Sequence, residues 1–160
     1  MSTYSDIQLY SIAILLFFFL WFLGWLFVWM RRDRYLCRYR SLKRLKRAEW
    51  DTFEHLCAHL FRKEGWQVEE NSHYGADGGI DLRLRKRRRY VLVQCKKYED
   101  AKVGIKVVRE MYGLMHEHEA DAVMIVTTST FTKECYRFAE EKPVVLITGE
   151  EIVTRIKKRC

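Results

Sequence analysis

Between Ile7 and Met30 the chain runs for 24 residues without a charge, dense in Leu, Phe and Trp. As a helix rising ~1.5 Å per residue this segment extends about 36 Å, enough to cross a hydrocarbon core of ~30 Å. The pattern predicts a transmembrane helix over 7–30. A cleaved signal peptide is a poorer match, because the segment opens on Asp6, runs too long and lacks a small-x-small cleavage site.

Beyond residue 47 the pattern becomes amphipathic. Phe53, Leu56, Cys57, Leu60 and Phe61 fall at i, i+3, i+4, i+7 and i+8, which predicts a helix over 48–64 ended by Gly65. Trp66 to Glu70 reads as a short strand, and Asn71 to Gly79, with three glycines, as a turn-rich loop. Ile80, Leu82 and Leu84 alternate with Asp81, Arg83 and Arg85, the mark of a strand with one polar face. A charged turn at 86–89 leads to a second strand from Tyr90 to Lys96. A helix over 103–118, a buried strand over 122–127, a helix over 132–141, a strand over 144–148 and a closing helix over 149–158 follow. The order α-β-β-β-α-β-α-β-α predicts an α/β fold, a mixed central sheet flanked by helices. Thr127 to Thr130 with Thr132 read as hydroxyls that cap the helix after them.

Charge changes the picture at one place. The net +8 is concentrated in residues 31–47, which hold nine Lys or Arg against one acid, Asp33. Residues 48–160 are close to neutral, with 20 bases and 19 acids. The high pI is therefore not a property of the globular part and does not by itself mark it as nucleic-acid binding. Basic residues beside an apolar span stay on the cytoplasmic side and meet lipid headgroups. The expectation is a single-pass protein of the inner (cytoplasmic) membrane, anchored by 7–30 and its basic flank 31–47, with the N-terminus outside and a cytoplasmic domain over 48–160. The other reading of 31–47 is an arm that tracks DNA phosphates. The five cysteines are odd in number and none is spaced CxxC. That predicts neither a disulfide framework nor a structural zinc site, with Cys57 and Cys95 as small core residues in a reducing compartment.

The chemistry concentrates in the hairpin over 80–96. A turn centred between Arg87 and Arg88 sets Asp81 opposite Gln94, with Lys96 two residues on along the same face. One carboxylate, one amide oxygen and one ammonium then converge. A hard divalent cation such as Mg²⁺ or Mn²⁺ wants oxygen ligands, which Asp81, Gln94 and the backbone carbonyl of Cys95 can supply. Such a cation stabilises phosphate charge and activates water, while Lys96 orients that water and offsets developing charge. Asp77 in the glycine-rich loop either joins the ligands or shapes the turn. Gly78 and Gly79 permit close backbone approach to DNA, and Arg83 and Arg85 are candidates for phosphate contact.

The stretch Gly75-Ala76-Asp77-Gly78-Gly79-Ile80-Asp81, followed by Val91-Leu92-Val93-Gln94-Cys95-Lys96, resembles the Mrr-like restriction endonucleases, a type IV restriction family in the PD-(D/E)xK nuclease superfamily. Members of this branch often carry Gln where relatives carry Asp or Glu, as the QxK motif does here. The resemblance covers Glu49 to Lys157. It implies that Asp81 is the metal-binding aspartate, that Gln94 and Lys96 complete the motif, and that Glu54 is the helix glutamate that assists the metal site. It further implies an Mg²⁺-dependent endonuclease acting on double-stranded DNA as a homodimer, in restriction of foreign DNA. An inactive DNA- or partner-binding module that keeps the fold, and a nuclease of RNA or branched DNA, are the alternatives.

Overall fold

The computed structural model describes the backbone of residues 2–71 and 79–160, and their side chains apart from 2–13 and 28–33. The chain divides into two units, Met1–Tyr35 and Leu36–Cys160.

The first unit consists of helix α1 (Ser2–Cys37), whose last residues belong to the second unit. Within it Phe22 stacks on Trp25 at 6.0 Å and Phe17 meets Phe18 edge-on at 5.8 Å. Among the described residues no helix is long and apolar enough to cross a membrane. Residues 36–47 of the basic flank belong to the second unit. Leu36 and Leu45 are buried in the core of the second unit, and Lys46 pairs with Asp100 at 3.2 Å. The finding that no described helix can cross a membrane corrects the expected span over 7–30 and the inner-membrane location; the expected lipid contact through 31–47 gains no support.

The second unit starts with a short helix α2 (Leu42–Arg47) and continues with α3 (Trp50–Lys63). The apolar stripe read from the sequence is the buried face of α3, with Phe53, Leu56, Cys57, Leu60 and Phe61 in the core. Gly65 stops it at φ +85°, the left-handed C′ position that Gly takes without a Cβ penalty. A five-stranded sheet follows in the order β1 (Gln67–Glu70), β2 (Leu82–Lys86), β3 (Arg89–Lys96), β4 (Ala122–Thr127) and β5 (Val144–Ile147). The first three strands pair antiparallel, and β3–β4 and β4–β5 pair parallel. Helices α4 (Ile105–Glu117) and α5 (Lys133–Ala139) make the crossovers, and α6 (Gly149–Lys157) closes the chain.

Helices cover both faces of the sheet. Phe53 and Phe61 of α3 and Ile152 and Ile156 of α6 pack with Leu82, Leu84, Val91, Val93 and Cys95 on one side. Val108 and Met111 of α4 and Cys135 of α5 pack with Leu92, Val123 and Ile125 on the other. That is why β3 and β4 are near-continuously apolar whereas β2 alternates. Truncating a fully buried side chain such as Phe53 here costs ~3–5 kcal/mol.

Two cysteines depart from expectation. Cys37 and Cys160 form a disulfide across a sequence separation of 123, with Cα atoms 5.6 Å apart. Sequence could not disclose a pair brought together only by the packing of the chain's two ends. Cys57, Cys95 and Cys135 are free and buried.

Candidate active site

The hairpin pairs as its turn chemistry dictates: Lys86 faces Arg89 and Leu82 faces Val93, the register expected. At Asp81 regular alternation breaks. Ile80 does not join Leu82 and Leu84 but packs in the opposite core beside Leu92. The backbone is clamped there by three bonds. Asp81 N donates to Val93 O at 2.9 Å, Asn71 N donates to Asp81 O at 2.9 Å, and Asn71 Nδ2 donates to Ile80 O at 3.0 Å. The side chain of Asp81 accepts the N–H of Cys95 at 2.6 Å through Oδ2. Thus the N–H of Cys95 orients the aspartate.

Glu54, on the first turns of α3, hydrogen-bonds the carboxyl group of Asp81. Burial, and then the charge of Asp81, push Glu54 up to about 8. Burial also raises Asp81, opposed by the Cys95 N–H, the Glu54 hydrogen bond and the positive charge of Lys96. Burial and the neighbouring carboxyl thus favour the protonated form of Glu54 at neutral pH, as expected of acids that cannot both ionise at close range.

Gln94 is 6% exposed. Its Nε2 lies against Gly79, which sits at φ +98° and whose missing Cβ makes the approach possible. The other edge of that amide, Oε1, is buried with no hydrogen-bond partner, and so is Glu54 Oε1. An unmet buried polar atom costs ~1–3 kcal/mol. Glu54 Oε1, beside the carboxyl of Asp81, gives an oxygen pair that fits a hard divalent cation; Gln94 Oε1 is a second unmet oxygen, on the strand that ends in Lys96. Among the described residues no three His, Cys, Asp or Glu gather into a metal cluster. The structure thus brings Glu54, Asp81 and Lys96 together and places Gln94 against Gly79. Asp77 and Gly78 lie outside the described residues.

Lys96 ends β3, where its carbonyl accepts Thr127 Oγ1 at 2.7 Å and Thr128 N at 3.3 Å. Thr128 Oγ1 donates to Tyr98 O at 2.6 Å and accepts Tyr98 N at 3.0 Å. The threonines therefore fix the exit of the lysine strand. Thr132 occupies the N-cap of α5 but makes no side-chain cap bond. Asn71 and these threonines are the positioning residues that sequence reasoning missed, and only the hydroxyl run after an apolar strand hinted at them. Arg83 and Arg85 stand on the β1–β2 surface opposite Glu69 and Gln67, with Arg85 over the Tyr90 ring at 4.2 Å.

A mixed sheet between helices, with a half-buried aspartate and a lysine at the ends of two adjacent strands and a helix glutamate beside them, defines the restriction-endonuclease-like class. The chain belongs to the restriction endonuclease family of the Mrr catalytic domain, whose model matches residues 45–156. Two solved structures agree on the fold. A protein of unknown function, AF1548, superposes with TM-score 0.54 at 19% identity over 66% of this chain and 65% of that one. The DNA modification-dependent restriction endonuclease AspBHI gives 0.56 at 21% over 80% of this chain and 35% of that one. The MspJI restriction endonuclease, solved with a 27-mer oligonucleotide, gives 0.48 at 23% over 64% and 26%. This chain thus spans about two thirds of the first and about a third or less of the others. No curated protein matches it.

Proposed function

We propose that this chain is a divalent-cation-dependent endonuclease that hydrolyses phosphodiester bonds of DNA in restriction of foreign DNA. One observation carries the reading. Asp81, ahead of β2, meets the helix glutamate Glu54, whose Oε1 is buried with no hydrogen-bond partner, and the charge of Lys96 reaches the same carboxylate.

Asp81, Glu54 and Gln94 Oε1 would hold the cation, Mg²⁺ or Mn²⁺, which supplies Lewis acidity toward the phosphate and lowers the pKa of bound water. Asp81 Oδ2 is oriented by the Cys95 N–H, so it needs no reorganisation to act as a ligand. Glu54 would release its proton to solvent on becoming a ligand. Lys96 places an ammonium where negative charge grows on the phosphoryl oxygens, and Thr127 and Thr128 keep its strand end in place. Cutting both strands at one position takes two such sites, so the cutting species is a homodimer.

The test is incubation of the full chain with modified and unmodified plasmid, RNA and branched DNA, each with Mg²⁺, Mn²⁺ or EDTA. Cation-dependent cutting of duplex DNA supports the proposal. Cutting confined to RNA or branched DNA replaces its substrate, and binding without any cutting replaces it with a binding module.

A further inference from the structure

Besides the acid pair, the second unit carries a concentrated, unneutralised positive surface. A cleft of about 490 Å³ is lined by Arg40, Ser41, Arg44 and Lys157, with three cations and no carboxylate. Three neighbouring bases are satisfied. Lys46 pairs with Asp100, Arg155 with Glu64 at 3.4 Å, and Arg159 donates to Lys63 O. Among the described residues Arg40 and Lys157 have no ion pair, and Arg44 reaches only the carbonyl of Arg38. Like charges held together without a counter-ion repel, and an anion placed among them relieves that repulsion.

The cleft is built rather than incidental. Cys37, three residues before Arg40, is bonded to Cys160, three residues after Lys157, so a covalent link ties its two walls. Its position is also fixed relative to the candidate active site. Leu42, next to Ser41, packs on Gly149, the first residue of α6. Gly149 N donates to Ser129 O, and the neighbouring Thr128 N donates to the carbonyl of Lys96. From Gly149 to Lys157 the helix advances about 12 Å at ~1.5 Å per residue.

We infer that the Arg40–Arg44–Lys157 cleft binds backbone phosphates of duplex DNA that flanks the cleaved bond. The inference rests on the reading of this chain as a DNA-acting nuclease. Phosphate contacts of this kind position the duplex without reading its sequence.

The experiment measures binding of the full chain to a labelled duplex by anisotropy, in EDTA so that nothing is cut, between about 50 and 200 mM salt. It compares wild type with Arg40→Ala/Lys157→Ala and with the charge-keeping Arg40→Lys/Lys157→Arg. Each neutralised phosphate contributes ~0.9 to the slope of log affinity on log salt. The alanine pair is expected to flatten the slope by roughly 1.8, so that across this range it loses about tenfold less affinity than wild type. It binds more weakly at low salt, alike for unrelated sequences, while the charge-keeping pair retains the wild-type slope. Wild-type binding with an unchanged slope in the alanine pair overturns this inference alone. A slope flattened equally by the charge-keeping pair overturns it too, since charge would not be the cause. A wild type that binds no duplex overturns both this inference and the nuclease reading beneath it.

Discussion

Gly79→Ala separates the stability of the fold from the geometry of the site. The residue sits at φ +98°, where an L side chain costs roughly 1–2 kcal/mol. A Cβ there would overlap Gln94 Nε2, well inside the 3.0 Å that real Cβ contacts keep. The overlapped atom is the far end of a flexible side chain, so the amide yields rather than the backbone. To reach an ordinary contact of 3.4 Å it must retreat by about 1 Å. A domain with ~5–15 kcal/mol of stability stays folded after a loss of 1–2. A reacting site, in contrast, can lose ~10²-fold in rate from a 1 Å misplacement. Urea unfolding and single-turnover plasmid cleavage therefore give different answers: a loss of about 1–2 kcal/mol in the first and about 10²-fold in the second. Gly113→Ala, in α4 with nothing within 4 Å of its added Cβ, is the control. It should leave cleavage unchanged and gain about 0.5–1 kcal/mol, the helix preference of Ala over Gly. Cleavage by Gly79→Ala at the wild-type rate would refute the placement of Gln94 in the site.

Glu54, near 8 when folded against an ordinary 4.5, binds more protons in the folded than in the unfolded chain between those values. Its contribution is therefore intact below the lower value, and stability of the cation-free protein declines as pH rises through the window, levelling above it. Thermal melts in EDTA should show this slope in wild type and lack it in Glu54→Gln; parallel curves would remove the proton from Glu54. Reduction of Cys37–Cys160, or Cys160→Ser, should lower the unfolding free energy by about 2–4 kcal/mol. Superimposable urea curves with and without a dithiol would show that the bond contributes nothing.

Where the chemistry is local, the sequence carried it. The α3 stripe, the charged turn at 86–89 and the strand apolarity sufficed for the element order and for the hairpin register through Leu82↔Val93. Alternation misled at Ile80, because the Asn71 and Val93 bonds turn the chain at Asp81 and send Ile80 to the other core. The meeting of Glu54 with Asp81 joins residues 27 apart, and sequence placed it only through resemblance. The threonine run was read as a helix cap, yet its hydroxyls reach Lys96 and Tyr98 on a neighbouring strand end. The basic flank reads as a juxtamembrane segment, yet residues 36–47 belong to the second unit, where Leu36 and Leu45 are buried, and burial across long separations has no local signature.

The most direct test of the central claim is Asp81→Ala measured twice in the full chain, for Mg²⁺-dependent plasmid cleavage and for duplex binding in EDTA. Cleavage abolished with binding within a few-fold of wild type is the result predicted for an aspartate that holds the catalytic cation. Cleavage that persists in the mutant, or in EDTA, would contradict it.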